Sequence, residues 1–204
     1  MTVTISRLYN SYPAAQDAVN ALEAAGIKHG DISIIASNAD EWYDAKKHTF
    51  PDRDLDGKDD RAEAAGAGAG LGAAAGGAVG AATGLGLMAI PGVGPVVAAG
   101  WLVAALAGAA AGAATGSVLG ALTQAGVSKD DAEVYAEGLR RGGAVVSARV
   151  ADADASRLQA VMDRSSVRAS ERATAYRGAG WKSFDPAGSP YTADQVRKER
   201  AMYR

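Results

Sequence analysis

The chain has 204 residues, with 21 lysines and arginines against 23 aspartates and glutamates, so its formal net charge is −2. This length allows one domain with a packed core and an insertion, and a charge so close to balance gives no sign of a nucleic-acid-binding surface. Because the chain has no cysteine, disulfides, thiol catalysis and zinc–thiolate sites are excluded.

Residues 1–37 predict the first half of a small α/β domain. Residues 2–8 alternate apolar and polar side chains, which is typical of a strand. Ser11 fits a helix N-cap, and apolar residues follow at helical spacing until Gly26, which fits the position just after a helix end. The run ISIIAS predicts a second strand, so the order is strand, helix, strand.

The same kinds of element return over residues 128–163, which predict the second half of the domain. Ser128 and Asp131 match a capping box at the start of a helix. AVVSARV, residues 144–150, predicts a third strand, and a further amphipathic helix follows. Three strands and three helices can share one core. We therefore predict an α+β fold, a small ferredoxin-like α/β sandwich interrupted by residues 38–127.

Residues 164–204 predict a polar C-terminal tail that contains aromatic residues. Its first part is rich in arginine, and we expect these arginines to form a solvated face, with phosphates or acidic lipid as the alternative contact. Thr192 and Gln195 match a further capping box, which predicts a short terminal helix. A disordered tail rarely carries so many aromatics. We expect docking on the domain or on a neighbouring subunit through Trp181, Phe184 and Tyr191.

Residues 64–127 contain two runs of glycine with a four-residue period and no charged side chain. The periodic glycines are Gly68, Gly72, Gly76, Gly80 and Gly84, then Gly108, Gly112, Gly116 and Gly120. Residues four apart lie on one face of a helix, so each run predicts a groove that another backbone can approach closely. Pro91 and Pro95 interrupt the pattern and predict a turn between two helical arms. The segment therefore predicts a glycine-zipper helical hairpin.

Three interpretations of this hairpin are open on the sequence alone. Each arm has about 25 residues and is roughly 40 Å long as a helix, which is enough to cross a bilayer. The first arm, however, is mostly alanine and glycine, which favours a hairpin buried in protein within a homo-oligomer. A flexible alanine–glycine linker is the third interpretation, but it does not explain why the four-residue period occurs twice.

Residues 38–63 form a linker that ends in an acidic loop. Its fixed positions match the EF-hand calcium pattern D-x-[DN]-x-[DN]-G-x5-E, with Gly57 at the glycine. The predicted calcium ligands are Asp52, Asp54, Asp56, the carbonyl of Lys58, Asp60 and Glu63. Asp59 replaces the usual apolar residue and Pro51 precedes the loop, so we expect a solitary calcium loop. The alternative is a solvated acidic linker that favours the N-terminus of the following helix.

Three stretches of the sequence resemble a bacterial family. They are AAQDAVNALEAAGIKHGDISIIAS, AIPGVGPVVAAG and AEVYAEGLRRGGAVVSARV. Together they look like the general-stress proteins of the heat-induced or low-temperature-induced type, over residues 2–163. The resemblance implies a small α/β domain split by a glycine-zipper hairpin and an association with stress. It implies no reaction and no catalytic residues.

The sequence contains no set of residues that predicts catalysis, and we expect the protein not to be an enzyme. Its two histidines, His29 and His48, have neither metal-site nor triad spacing. No GKS or GKT follows the glycine runs, so they do not match a phosphate-binding loop.

We predict a non-catalytic, stress-associated protein that self-assembles through the hairpin and carries a structural calcium ion. The expected partner is a second copy of the chain, with no nucleic acid and no small-molecule substrate. The start MTVTISRLYN lacks the features of a signal peptide, so we expect a cytoplasmic protein. The alternatives are a hairpin that inserts in the lipid of the inner membrane and a calcium-responsive assembly switch.

Overall fold

The computed structural model describes residues 1–44, 86–103, 106 and 118–203. Its strands in these ranges are β1 (Thr2–Tyr9), β2 (Ile32–Ser37), β3 (Gly86–Ile90), β4 (Gly94–Ala99) and β5 (Ala144–Ala151). The α-helices in the same ranges are α1 (Tyr12–Ala24), α2 (Val118–Gln124), α3 (Lys129–Arg140), α4 (Ala155–Met162), α5 (Ala169–Gly178) and α6 (Ala193–Met202). The strands form one sheet in the order β1-β5-β2-β4-β3, and every neighbouring pair is antiparallel.

The last strand of the sequence, β5, lies between the first two. Thr2 of β1 pairs with Ala151, and Ile32 of β2 pairs with Ala148 on the other side of β5. Consequently β1 and β2 run parallel without being adjacent, and α1 connects them. The coarse prediction of a mixed α and β fold is confirmed. The ferredoxin-like arrangement is not confirmed, because β1 lies at an edge of the sheet.

Helices cover both faces of the sheet. On one face, α1 and α4 pack on alternate sheet residues that include Ile34 and Val146. On the other face, α2 and α3 pack on Ile35 and Val145. All six residues of β2 are buried, including Ser33 and Ser37, as expected for a strand that is covered on both faces. The three layers replace the simple sandwich that the sequence predicted.

The turn at IPGVGP is a β-hairpin, so the prediction of helical arms that meet at this turn is wrong. Gly86 of β3 pairs with Ala98 of β4, and β4 in turn pairs with β2. Val96 and Val97 are fully buried in this position. Their β-branched side chains suit a strand, and pairing with β2 outweighs the weak local preference for helix in an alanine–glycine sequence.

The C-terminal part of the chain packs on α3 through two helices. Both predicted N-caps are present, and the cap of Thr192 and Gln195 on α6 is a reciprocal capping box. The Ser128 hydroxyl accepts a hydrogen bond from the Asp131 amide at 3.2 Å, but the Asp131 carboxylate accepts from the Ser128 hydroxyl and does not complete the box. The sequence did not predict α5, whose first turn lacks a side-chain cap. This helix contacts α3 through a small cluster of Val134, Ala173, Tyr176 and Trp181.

Candidate functional site: an arginine–glutamate cluster and the adjoining cleft

A buried carboxylate at the end of α3 holds two arginines. Glu137 is 0% exposed, and its two oxygens each accept a hydrogen bond at 2.5 Å, one from Arg140 and one from Arg141. Arg141 also donates a 3.0 Å hydrogen bond to Glu199 of α6. We call these four residues the arginine–glutamate cluster. Such charge-assisted bonds are the strong kind, so the cluster fixes α6 on α3.

Gly142 allows α6 to approach the end of α3. Its backbone φ is +100°, and a side chain there would overlap Val196 of α6. Arg200 donates a 2.8 Å hydrogen bond to the Gly142 carbonyl and pairs with Asp40, which follows β2. The helix therefore closes over a position where the left-handed backbone and the lack of space both favour glycine.

Aromatic rings surround the cluster. The Arg141 guanidinium lies 4.2 Å from the centroid of the Tyr176 ring, and the Arg140 guanidinium lies 5.6 Å from that of Phe184. Burial raises the pKa of the Tyr176 hydroxyl. For Arg141, burial acts to lower the pKa, but the hydrogen bonds and charge of Glu137, together with Glu199, outweigh burial and raise it. Both side chains therefore keep one charge state at ordinary pH.

A small cavity of about 20 Å³ is lined by Arg141 and Glu199 of the cluster, and an open cleft of about 900 Å³ adjoins this cavity. The small cavity is large enough for one water molecule. Both are lined by Asn10, Arg172 and Tyr203. On the wall of the cleft, Arg7 pairs with Asp163. The cleft and cavity thus meet at Arg172.

Tyr135 also lines the cleft, and its ionisation predicts how stability changes at alkaline pH. Its hydroxyl donates a 3.1 Å hydrogen bond to the carbonyl of Ser6, and burial raises its pKa to about 12. Because this value is above the unfolded value of about 10, the stabilisation is complete below pH 10 and is lost as pH rises through 12.

We therefore expect Tyr135→Phe to flatten the alkaline loss of stability. The variant should lose about 1 kcal/mol at neutral pH with the hydrogen bond, and its free energy of unfolding should fall less between pH 10 and 12. Burial raises the pKa values of Tyr9 and Tyr176 as well, so part of the slope should persist. Urea unfolding at several pH values measures this, and identical slopes for variant and wild type would contradict it.

The structure places the three predicted tail aromatics on this chain's own domain. Trp181 and Phe184 are 9% and 6% exposed, and Phe184 joins the core that α2 and α3 form on the sheet. Tyr191 is partly buried, with its ring centroid 5.5 Å from the Arg141 guanidinium. Of the periodic glycines, Gly120 lies in α2, and the others lie outside the described residues, as do all six predicted calcium ligands.

The arginine–glutamate cluster itself was missed from the sequence. RRGG indicated only a helix end with basic residues, and the arginines after residue 163 were expected to be solvated. Arg172 is instead 6% exposed. The acidic partner Glu199 is far away in the sequence, and no local pattern pairs it with Arg141. The sequence offered one indication of the cluster, which is that Glu137 lies three residues after Val134, at the spacing of the apolar residues of α3.

Among the described residues, no helix is both long and apolar enough to cross a bilayer. Within the same residues, no group of three or more histidine, aspartate or glutamate side chains is arranged to hold a metal ion. No protein-family model, curated protein or solved structure matches the chain. The resemblance to general-stress proteins therefore stays a prediction.

Proposed function

We propose that the protein is a non-catalytic, stress-associated structural protein whose copies assemble through the two glycine-periodic segments, residues 68–84 and 108–120. The observation that carries the proposal is the pairing of Gly86 with Ala98 in the β3–β4 hairpin. The first segment ends two residues before Gly86, and the second follows β4. The two segments are therefore connected to neighbouring strand ends of the sheet, the second by way of Leu102 and Leu106, which pack in the core.

The turn of the β3–β4 hairpin packs closely against the C-terminal segment. This packing supports the proposal that the hairpin is a platform, a fixed base to which the two glycine-periodic segments are connected. Gly92 and Gly94 in the turn have positive φ, and a side chain at either would meet Pro186 or Pro190 of the C-terminal segment, residues 179–203. That segment includes α6, which Glu199 connects to the end of α3 by an ion pair with Arg141. A rigid platform lowers the entropy that must be lost when two chains associate.

The glycines supply the remaining argument. A glycine costs about 1 kcal/mol relative to alanine in a helix, so nine of them at a strict period are a heavy cost that close helix–helix packing must offset. In the proposal, each segment is a helix, and the helices of several copies pack through their glycine faces. The acidic loop binds a structural calcium ion through the six predicted ligands, including Asp52 and Glu63, at the start of the first segment.

Assembly is tested by filling the glycine groove. We expect the purified full chain to form large, lipid-free particles without detergent, seen by sedimentation velocity and electron microscopy. Gly72→Leu with Gly76→Leu should raise the concentration needed for assembly at least tenfold. The control is Ala74→Leu with Ala78→Leu, which adds the same side chains on the opposite face of a helix and should assemble normally.

The outcomes separate the alternatives. A wild-type chain that stays monomeric, or that leaves membranes only in detergent, would overturn the proposal, and the second result would favour membrane insertion. Equal loss of assembly in both double variants would show that assembly does not depend on the glycine face of the helix. A chelator should dissociate the particles if calcium is structural. If calorimetric titration detects no calcium binding, the proposed calcium loop is refuted and the proposed assembly is not.

A further inference from the structure

Arg172 is a buried cation without a carboxylate partner among the residues that the structure describes. Its side chain donates a hydrogen bond to the side-chain oxygen of Asn10, and its guanidinium lies 3.7 Å from the centroid of the Tyr203 ring. By contrast, Arg140 and Arg141 share the carboxylate of Glu137. Arg172 thus has a neutral amide and an aromatic face where the others have a negative charge.

This environment leaves binding capacity for an anion. A guanidinium carries five N–H donors, and one amide oxygen satisfies only part of them. Removing a cation from water without a counter-charge is costly, and the face of the Tyr203 ring offsets only part of that cost. A bound anion with paired oxygens would complete the set of hydrogen bonds in the geometry that guanidinium groups prefer.

The cleft gives such an anion access to Arg172. Arg172 lines both the small inner cavity and the open cleft of about 900 Å³. The other two arginines of the cleft are already neutralised, since Arg7 pairs with Asp163 and Arg168 pairs with Glu171. The charge available to an incoming ligand is therefore that of Arg172.

The acidic residues of the cleft limit what can bind. Besides Asp163 and Glu171, the cleft is lined by Asp131, whose carboxylate accepts a 2.9 Å hydrogen bond from the Ser128 hydroxyl. A dianion such as phosphate would be attracted by one unpaired guanidinium and repelled by these carboxylates. A monoanion has less repulsion to overcome, and a carboxylate matches the two-pronged guanidinium.

We propose that the cleft is a binding site for a small carboxylate ligand, held by Arg172. Asn10 fixes the position of the guanidinium, and Tyr203 forms the wall against which it lies. This site is independent of the glycine-periodic segments, so its test does not depend on whether the chain assembles.

Saturation-transfer difference NMR on the full chain tests the proposal, because the method observes the acetate methyl group and tolerates large particles. We expect a saturable acetate signal, titrated to about 50 mM because so small a ligand binds weakly. Arg172→Gln should reduce the signal at least fivefold. Arg177→Gln, which changes an exposed arginine of α5 outside the cleft, should leave it unchanged.

Arg172→Lys is the second variant, and it is used if Arg172→Gln does not fold. It keeps the positive charge but removes the two-pronged donor, so it should weaken acetate binding. Sodium chloride at equal ionic strength should not remove the signal, and neither should an equal concentration of phosphate. A signal that does not saturate, or that is equal in wild type and both Arg172 variants, would overturn the site. Displacement by phosphate at equal concentration would overturn the assignment to a carboxylate.

Discussion

Replacing Glu137 by glutamine is expected to lower the free energy of unfolding by about 3 kcal/mol or more, because it leaves buried guanidinium groups without their counter-charge. The side chain keeps its shape, so the loss reports charge and hydrogen bonding rather than packing. Arg140 forms no other ion pair among the described residues, whereas Arg141 keeps its ion pair with Glu199. The effect should exceed that of any exposed ion pair.

Glu171→Gln is the matched control for this prediction. Glu171 pairs with Arg168, and these side chains are 61% and 78% exposed. Exposed pairs contribute between zero and about 1 kcal/mol, so the control should change stability by less than about 0.5 kcal/mol. Urea unfolding of both variants measures the difference. Equal effects would show that Glu137 does not hold the C-terminal helix on α3.

Gly100→Ala is expected to be the second damaging change, at about 3 kcal/mol or more. Gly100 follows β4, has a φ of +90°, and a methyl group there would overlap the Ile32 carbonyl and the backbone of Ser33. The Ser33 hydroxyl accepts a 2.8 Å hydrogen bond from the Leu102 amide just beyond. The variant therefore combines an unfavourable backbone conformation with a collision against backbone atoms, which cannot rotate away.

Gly26→Ala separates these two causes. Gly26 has a nearly equal φ of +96°, but nothing lies within 4 Å of an added methyl group. We expect it to cost only about 1–2 kcal/mol, which is the penalty of the backbone conformation alone. Thermal or urea unfolding of the two variants gives the difference directly. If both cost the same, the close approach of Gly100 to β2 makes no contribution.

Local patterns predicted the elements whose determinants are near in sequence. The caps at Ser128 and Thr192 each depend on a residue three positions later, and both helices begin where these patterns indicate. The strands β2 and β5 were also recognisable, because short runs of β-branched residues carry enough information.

Long-range pairing decided what the sequence did not reveal. Val96 and Val97 lie in a stretch whose composition favours an alanine–glycine helix, and only the presence of β2 beside them makes a strand the better state. Likewise, Glu137 and Arg141 are a common helical pair, and their link to Glu199 depends on the path of the C-terminal segment. Arg172 was expected on a solvated face for the same reason.

The position of β5 has a consequence for synthesis. Since β5 separates β1 from β2 in the sheet, a nascent chain cannot complete the sheet until residue 151 has left the ribosome. Contacts such as that between Thr2 and Ala151 give slow folding, because the loop must close before the contact stabilises it. Both glycine-periodic segments emerge earlier than β5. In the proposed assembly, the two glycine-periodic segments are therefore synthesised before the strand that completes the sheet to which they are connected.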